Sequence, residues 1–278
     1  MTAVERVDDP RGPAVVARGV TLAHDRHVAL RDADLVVPTG AVTALIGPNG
    51  SGKSTLLDAI AGLLPVAGGH LEVLGGAPGA GPGHVAHVLQ STVIPEHLPV
   101  TVRDVVRMGR FPARGPLGRL GARDRAIVEA AIDRLDLGAL ADRSLDHLSG
   151  GQRQRALVAQ GLAQEAELLL LDEPVTGLDL VSRQRILDVI DEERVAGRTV
   201  VVTTHDLDEA ALADHVVVLS GRVVAEGRPE AVLVAPVLRS AYGGRLLEVD
   251  GASVLLDDPH HHAVGHDHTV CDHDDELA

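Results

Sequence analysis

The sequence predicts an α/β fold built on a mostly parallel sheet, with helices on both faces and a helical subdomain inserted into it. Strand-like and helix-like segments alternate along much of the chain, which is the pattern of parallel strands joined by crossover helices. The apolar run at 168–171 is uninterrupted by polar residues, as is typical of a central strand buried on both faces. Between residues 99 and 164 the apolar residues recur at helical spacing instead. The 278 residues suffice to bury such a core.

The first elements lead up to a glycine-rich loop. Residues 1–13 are polar and predict a flexible leader. Strands are predicted over 14–22 and 33–37, with a turn at 24–27 between them, and a buried strand over 41–46 feeds the loop. The elements that follow are a helix over 56–60, strands over 70–74 and 85–89, and a Gly, Ala and Pro surface loop over 75–83 between these two strands.

The later elements return to the α/β pattern after the helical subdomain. Helical spacing is seen in Val102, Val105 and Val106 and again from 127 to 135. The remaining predictions are a strand over 168–171, a helix over 182–194, a strand over 199–203, a helix over 207–212 and a strand pair at 216–219 and 223–226.

The loop after the strand at 41–46 has the spacing of a phosphate-binding loop. Its small residues let backbone N–H groups converge on phosphate oxygens, and the following helix N-terminus adds partial positive charge. We expect Lys53 to bridge the outer phosphates and Ser54 to offer its hydroxyl to Mg²⁺. An ordinary glycine-rich turn is disfavoured because every fixed position of the motif is filled. The nucleotide-binding residues predicted here are Gly47, Pro48, Asn49, Gly50, Ser51, Gly52, Lys53, Ser54 and Thr55.

Two carboxylates follow the apolar run at 168–171. Asp172 and Glu173 lie at the carboxyl end of a predicted central strand, where open α/β sheets bind their ligands. We expect Asp172 to hold the Mg²⁺ shell and Glu173 to act on the water that attacks the γ-phosphate. The alternative is that both residues simply begin the next loop, which the phosphate-binding loop upstream disfavours.

The segment Leu148-Ser149-Gly150-Gly151-Gln152 precedes a predicted helix. Ser149 and Gln152 fit the capping box that starts many helices, so a purely structural explanation is open. Capping alone does not explain the adjacent glycines Gly150 and Gly151, which weaken a helix unless something approaches the backbone closely. A phosphate at this helix N-terminus would be such a group.

Together these residues resemble the ATP-binding cassette ATPases, and the resemblance covers residues 14 to about 246. Residues 148–152 match the signature segment of that family letter for letter. The resemblance implies a P-loop NTPase (RecA-like) core with a parallel sheet, an antiparallel β edge and a helical subdomain at about 95–164. Gln90 is similar to the glutamine that links the Mg²⁺ and γ-phosphate site to a transmembrane partner. His205 is similar to the switch histidine at the γ-phosphate, and residues 176–179, which end at Asp179, resemble the loop that contacts the opposite protomer in that family.

The resemblance also implies how such chains assemble. Two ATPase units face head to tail, so the signature segment of one completes the phosphate site of the other. Ser149 and Gly151 should then contact ATP bound at Lys53 of a partner chain, in a homodimer or with a similar subunit. The family usually stacks adenine on an aromatic residue, and His24 stands at that position here, so base selectivity is expected to be relaxed.

Composition limits the class of function. Nine of the acids and none of the Lys or Arg lie in residues 247–278, which therefore carry most of the net charge of −15. The rest of the chain has no global basic footprint, so we expect no nucleic-acid partner. No apolar run is of spanning length, residues 1–6 predict no signal peptide, and the single Cys271 suits a reducing cytosol. Cytoplasmic, membrane-peripheral placement is expected.

The resemblance favours a transport ATPase. The stretch between Gln90 and the signature segment fits a helical subdomain that docks on a membrane permease and is too short for the coiled coils of DNA-repair members. Residues 98–110 resemble the corresponding segment in importers of zinc, manganese, iron chelates and haem. We expect a metal importer with zinc as the favoured cargo, served indirectly by an extracytoplasmic substrate-binding protein. A manganese, iron-chelate or haem importer and a soluble non-transport ATPase are the alternatives.

The acidic tail at 247–278 is dense in metal-binding side chains. Imidazole, thiolate and carboxylate donors of this kind suit Zn²⁺, although their spacing matches no closed structural zinc site. A solvated acidic end without a site is the alternative. The candidate Zn²⁺ ligands are His260, His261, His262, His266, His268, Cys271 and His273.

Overall fold

The computed structural model describes residues 12–25, 27–79, 83–89, 100–114, 118–243, 246–249 and 252–255. The strands are β1 (Val15–His24), β2 (His27–Val37), β3 (Val42–Ile46), β4 (Gly68–Val73), β5 (Val85–Val88), β6 (Leu168–Leu171), β7 (Thr199–Thr203), β8 (His215–Leu219), β9 (Val223–Gly227), β10 (Leu246–Val249) and β11 (Ala252–Leu255). The helices are α1 (Lys53–Ile60), α2 (Val102–Met108), α3 (Phe111–Arg114), α4 (Ala122–Arg134), α5 (Gly150–Ala163), α6 (Leu180–Val195), α7 (Leu207–Ala211), α8 (Pro229–Val232) and α9 (Ala235–Tyr242).

A six-stranded sheet in the order β5-β6-β7-β3-β8-β9 carries the fold. The pairs from β5 to β8 are parallel, and β9 closes the edge antiparallel to β8. Every residue of β3, β6 and β8 is buried, which is why these strands contain almost only aliphatic side chains. The parallel sheet with an antiparallel edge confirms the predicted fold class.

Alternate residues of the central strands enter two separate cores, one on each face of the sheet. In β3, Leu45 packs with α1 and with a second, antiparallel sheet of order β2-β1-β4. Ala44 and Ile46 point the other way, into the core shared with the helical subdomain and with α6 and α9. The strand preceding the phosphate-binding loop is therefore held from both sides.

The helical subdomain contains α2, α4 and α5, which contact one another. The apolar residues that predicted these helices are buried, Val102, Val106 and Ile132 among them. A cluster of charged side chains connects the start of α4 with residues 110 and 114. Asp124 is fully buried there and accepts hydrogen bonds from Arg110 and Arg114. Arg110 also donates to the carbonyl of residue 163 at the end of α5, at 2.7 Å.

The structure differs from the sequence prediction in three places. β2 begins at His27, six residues before the predicted strand, because its first half has exposed polar residues at the edge of the antiparallel sheet. The short helices α8 and α9 were not predicted. The paired strands β10 and β11 form a hairpin at 246–255, where the acidic tail was expected to begin. None of the helices in the described ranges is both long and apolar enough to cross a membrane.

Candidate nucleotide-binding site

The loop between β3 and α1 has a backbone that requires glycine. Gly47 has φ +152°, and a Cβ there would lie 2.1 Å from the carbonyl oxygen of Leu219. Gly52 has φ +100° and approaches the carbonyl oxygen of Ala29 on β2, 2.9 Å from the position of a Cβ. The loop is thus wedged between β8 and β2, and its two tightest positions exclude a side chain.

Lys53, the first residue of α1, is folded back over this loop. Its Nζ donates to the carbonyl oxygens of Gly47 at 2.8 Å and Pro48 at 3.2 Å. Burial lowers the pKa of the Lys53 ammonium, and the nearby carboxylates of Glu173 and Asp172 oppose that shift. An anion on the loop would compensate the desolvated cation.

The donors in the loop suit a nucleotide with Mg²⁺. The Ser51 hydroxyl is buried without a hydrogen-bond partner among the described residues. The loop therefore offers a hydroxyl that a bound phosphate could satisfy. Ser54 exposes its side chain on the first turn of α1. Together with the Asp172 carboxylate, the Ser54 hydroxyl gives the hard oxygen ligands that Mg²⁺ prefers.

The two carboxylates at the end of β6 are tied to β7 through one hydroxyl. Thr203 Oγ1 donates to Asp172 Oδ1 at 2.6 Å and accepts the backbone N–H of Glu173 at 2.7 Å. Glu173 has φ +44°, in the left-handed region that non-glycine residues seldom occupy. The Asp172 N–H donates to the carbonyl of Val88 on β5 at 2.9 Å. Glu173 is half-buried, whereas Asp172 is buried.

His205 is exposed just beyond β7, in a turn stabilised by its neighbours. The Thr204 hydroxyl donates to Glu209 Oε2 at 2.6 Å and accepts the Asp206 N–H at 3.0 Å. Arg183 of α6 donates to Asp206 at 2.8 Å and to Glu209 at 3.0 Å. The imidazole therefore projects from a fixed turn at the carboxyl edge of the sheet.

The signature segment caps α5 in the way its sequence predicts. The Gln152 N–H donates to Ser149 Oγ at 3.2 Å, and the Ser149 N–H donates to Gln152 Oε1 at 3.1 Å. A Cβ on Gly151 would lie 2.4 Å from both Asp179 Oδ2 and Ser182 Oγ, so this glycine has a packing reason within its own chain. A Cβ on Gly150 would meet no described atom within 4 Å.

Asp179 caps α6 by accepting the Ser182 N–H at 2.9 Å. That hydrogen bond lowers the pKa of the Asp179 carboxyl. The loop that contains Asp179 and the N-terminus of α5 are consequently one packed unit.

The predicted site residues fall into two groups. Lys53, Asp172 and Glu173 are near enough for their charges to interact, at the carboxyl edge of the parallel strands. Ser149, Gly151 and Asp179 lie at the starts of α5 and α6, and Gly151 packs against Asp179. The described ranges also include other predicted site residues, namely His24, Asn49, Gly50, Thr55 and His205. Of these, His24 is exposed at the tip of the hairpin formed by β1 and β2.

Other predicted residues lie outside the described ranges. These are Gln90 and the seven tail candidates His260, His261, His262, His266, His268, Cys271 and His273. Within the described part of the chain, no group of three or more His, Cys, Asp or Glu residues is arranged to hold a metal ion.

Sequence reasoning missed Thr203 and Tyr242 as neighbours of the site. Thr203 was placed only as the end of a strand, and its contacts depend on the register of β6 against β7. Tyr242 lies at the end of α9, where burial raises the pKa of its phenol and the backbone N–H of Gly47 opposes that shift. α9 therefore lies beneath the phosphate-binding loop, which no local pattern in residues 235–242 indicates.

The sequence is similar to that of known proteins over most of its length. The sequence profile of the ABC transporter family matches residues 30–176. A zinc transport system ATP-binding protein from Treponema pallidum is 40% identical over 84% of this chain and 88% of its own. A manganese transport system ATP-binding protein from Listeria innocua is 35% identical over 81% of this chain and 95% of its own.

The fold has close structural neighbours as well. The structure of MJ1267, an ATP-binding cassette of an ABC transporter in its ADP conformation, superposes with a TM-score of 0.72. It is 25% identical to this chain, and the match covers 84% of this chain and 99% of MJ1267. The match therefore extends over nearly all of the solved cassette.

Proposed function

We propose that this chain, which belongs to the ABC transporter ATPases, powers a membrane importer for metal ions. Zinc is the favoured cargo. The observation that carries the proposal is the pair of site halves on one chain. One half has Lys53 beside Asp172 and Glu173, and the other has the starts of α5 and α6. ATP and Mg²⁺ are the ligands of an ABC ATPase.

Each residue of the first half has a role in hydrolysis. Lys53 would bind the outer phosphates, and the Ser54 hydroxyl and the Asp172 carboxylate would hold Mg²⁺. Bound Mg²⁺ neutralises charge on the phosphate oxygens. Glu173 orients the attacking water and takes its proton, and His205 donates to the γ-phosphate. Gln90 carries the state of this site to a transmembrane partner.

The second half completes the site of another copy of the chain. Gly150 leaves the N-terminus of α5 open, so a phosphate can approach its backbone N–H groups. Ser149, Gly151 and Gln152 belong to the same turn, and Asp179 lies against it. A head-to-tail homodimer therefore closes on ATP and reopens after hydrolysis.

The helical subdomain offers a surface for a permease at the cytoplasmic face of the membrane. A cavity of about 620 Å³ there is lined by apolar side chains together with arginines. Met108 and Phe111 expose over a third of their surface, as residues of a partner-binding surface do. The lining includes Val100, Met108, Phe111, Leu120, Arg107, Arg119 and Arg125. An extracytoplasmic substrate-binding protein delivers the cargo to that permease.

Zinc is favoured as cargo by two independent features. The relative from Treponema pallidum is named as a zinc transport protein. The tail at 247–278 carries six His residues and Cys271, which together can buffer imported Zn²⁺. Manganese is the alternative suggested by the Listeria relative, and an iron chelate or haem by the segment at 98–110.

The test is the metal content of cells that lack this chain, with zinc, manganese and iron made limiting in turn. We expect a selective fall in zinc that the intact gene restores and a Lys53→Ala version does not. A fall in manganese or iron alone would show that this metal, and not zinc, is the cargo. If no metal changes while the purified protein hydrolyses ATP, a soluble non-transport ATPase replaces the importer.

A version that ends at residue 255 keeps the β10–β11 hairpin, removes all seven candidate Zn²⁺ ligands and so tests the tail separately. We expect the truncated version to restore zinc uptake in cells. In calorimetry on the purified proteins, the full-length chain should bind Zn²⁺ tightly and the truncated version should not. Equal Zn²⁺ affinity with and without the tail would contradict a metal-binding role for these residues.

A further inference from the structure

We propose that Thr203 is a positioning residue that aligns both carboxylates of the hydrolytic site through a single hydroxyl. This inference rests on the proposed ATPase function and assigns to that site a residue outside its motifs. Thr203 ends β7 and is fully buried. It acts through Asp172 and Glu173 and is not expected to touch the nucleotide.

The direction of the hydrogen bonds follows from their donors. A backbone N–H can only donate, so Thr203 Oγ1 accepts from the Glu173 N–H at 2.7 Å. The one hydrogen of the hydroxyl is then directed to Asp172 Oδ1, at 2.6 Å. A short O–H···O⁻ bond of this kind is favoured by an ionised carboxylate. The hydroxyl therefore acts once as acceptor and once as donor.

These two bonds fix different properties of the site. The bond to Oδ1 sets the rotation of the Asp172 carboxylate and leaves Oδ2 to face a cation. The bond from the Glu173 N–H holds a residue whose φ of +44° is unfavourable for a side chain. The direction in which Glu173 leaves the backbone is thus determined from the neighbouring strand. Partners that orient a metal-binding carboxylate in this way typically contribute 10–100-fold to metal affinity or activity.

Valine has nearly the shape of threonine but can neither donate nor accept a hydrogen bond. In T203V the Asp172 carboxylate would lose its donor and the Glu173 N–H its acceptor. A matched control exists on the adjacent strand β3, where Thr43 is fully buried and its hydroxyl has no hydrogen-bond partner among the described residues. T43V makes the same chemical change without touching either carboxylate.

The experiment compares full-length wild type, T203V, T203S and T43V. Steady-state ATP hydrolysis gives kcat and KM, and a fluorescent ATP analogue gives nucleotide affinity as a function of Mg²⁺ concentration. For T203V we expect kcat to fall roughly 10–100-fold and the Mg²⁺ concentration for half-maximal binding to rise about tenfold. Affinity without Mg²⁺ should stay within about twofold of wild type, because the Lys53 contacts remain. T203S should recover both properties, and T43V should match wild type.

Two results would overturn the proposal. One is a T203V protein with wild-type kcat and Mg²⁺ dependence. The other is a T203S protein as impaired as T203V, since the hydroxyl would then not be the active group. If T203V fails to fold, Thr203→Ala carries the same expectations. A wild-type protein that binds nucleotide without hydrolysing it would refute the ATPase function, while the Mg²⁺ dependence of binding would still decide the role of Thr203.

Discussion

Gly151 and Gly150 should respond in opposite directions to the same substitution. A Cβ at Gly151 would lie 2.4 Å from Asp179 Oδ2 and Ser182 Oγ and 2.8 Å from Ser182 Cβ. Ser182 cannot yield easily because it is 2% exposed, and the exposed Asp179 would have to give up its bond to the Ser182 N–H in order to move. Overpacking of this kind costs about 1–3 kcal/mol, and the better helix propensity of alanine offsets under 1 kcal/mol of it.

We therefore expect Gly151→Ala to lower the free energy of unfolding by about 2 kcal/mol. Gly150→Ala is the matched control, since it has the same chemistry one residue earlier with no described atom within 4 Å. It should raise the free energy of unfolding by about 0.5 kcal/mol. For a domain of this size, about 2–4 °C in Tm corresponds to 1 kcal/mol, so Gly151→Ala should unfold about 4–8 °C earlier.

The assay is urea and thermal unfolding of the nucleotide-free protein, followed by circular dichroism. Omitting nucleotide matters because it isolates packing within the chain from any contact with ATP. If Gly151→Ala is as stable as Gly150→Ala, Asp179 and Ser182 move aside to accommodate the added methyl group at little cost. The need for glycine at position 151 would then have to come from a ligand, and the packing explanation would be wrong.

Three further predictions concern charged and titratable groups. Glu173→Gln should keep ATP binding and lose about 10²–10⁴-fold in phosphate release, because the amide cannot take the proton of water; normal turnover would exclude Glu173 as the base. Asp124→Asn should lower the urea midpoint more than the exposed control Glu167→Gln, because buried Arg110 loses its buried carboxylate and keeps only the partly exposed Glu165; equal midpoints would contradict this. Burial lowers the pKa of His87, so the unfolded chain binds the proton first and stability falls as the pH drops below about 6.5. His87→Leu should flatten that loss between pH 7.5 and 5.5, and an unchanged pH profile of unfolding would count against it.

The parts of the fold that could be predicted are those whose burial is uniform. β6 and β7 were placed at their observed residues because parallel strands buried on both faces contain continuous apolar runs. The phosphate-binding loop was recognisable because its backbone conformation demands glycine at fixed positions. The start of β2 was missed because an edge strand has exposed polar residues and little alternation to detect.

The candidate site shows the same division between local and long-range information. The capping box of Ser149 and Gln152 involves residues three apart, so the sequence displays it. The contact of Gly151 with Asp179 joins residues 28 apart, and its cause could not be read from the glycine itself. Thr203 lies 31 residues from Asp172, and only the pairing of β6 with β7 brings its hydroxyl to the carboxylate.

The position of Tyr242 makes the protein a natural optical reporter. The chain has no tryptophan and one tyrosine, so nearly all of its near-ultraviolet absorption and intrinsic emission come from a single phenol. That phenol is buried beside the backbone of Gly47 in the phosphate-binding loop. Changes in the emission of unlabelled protein therefore report on the contact between α9 and the phosphate-binding loop, with little background from the helical subdomain and no tyrosine or tryptophan in the acidic tail.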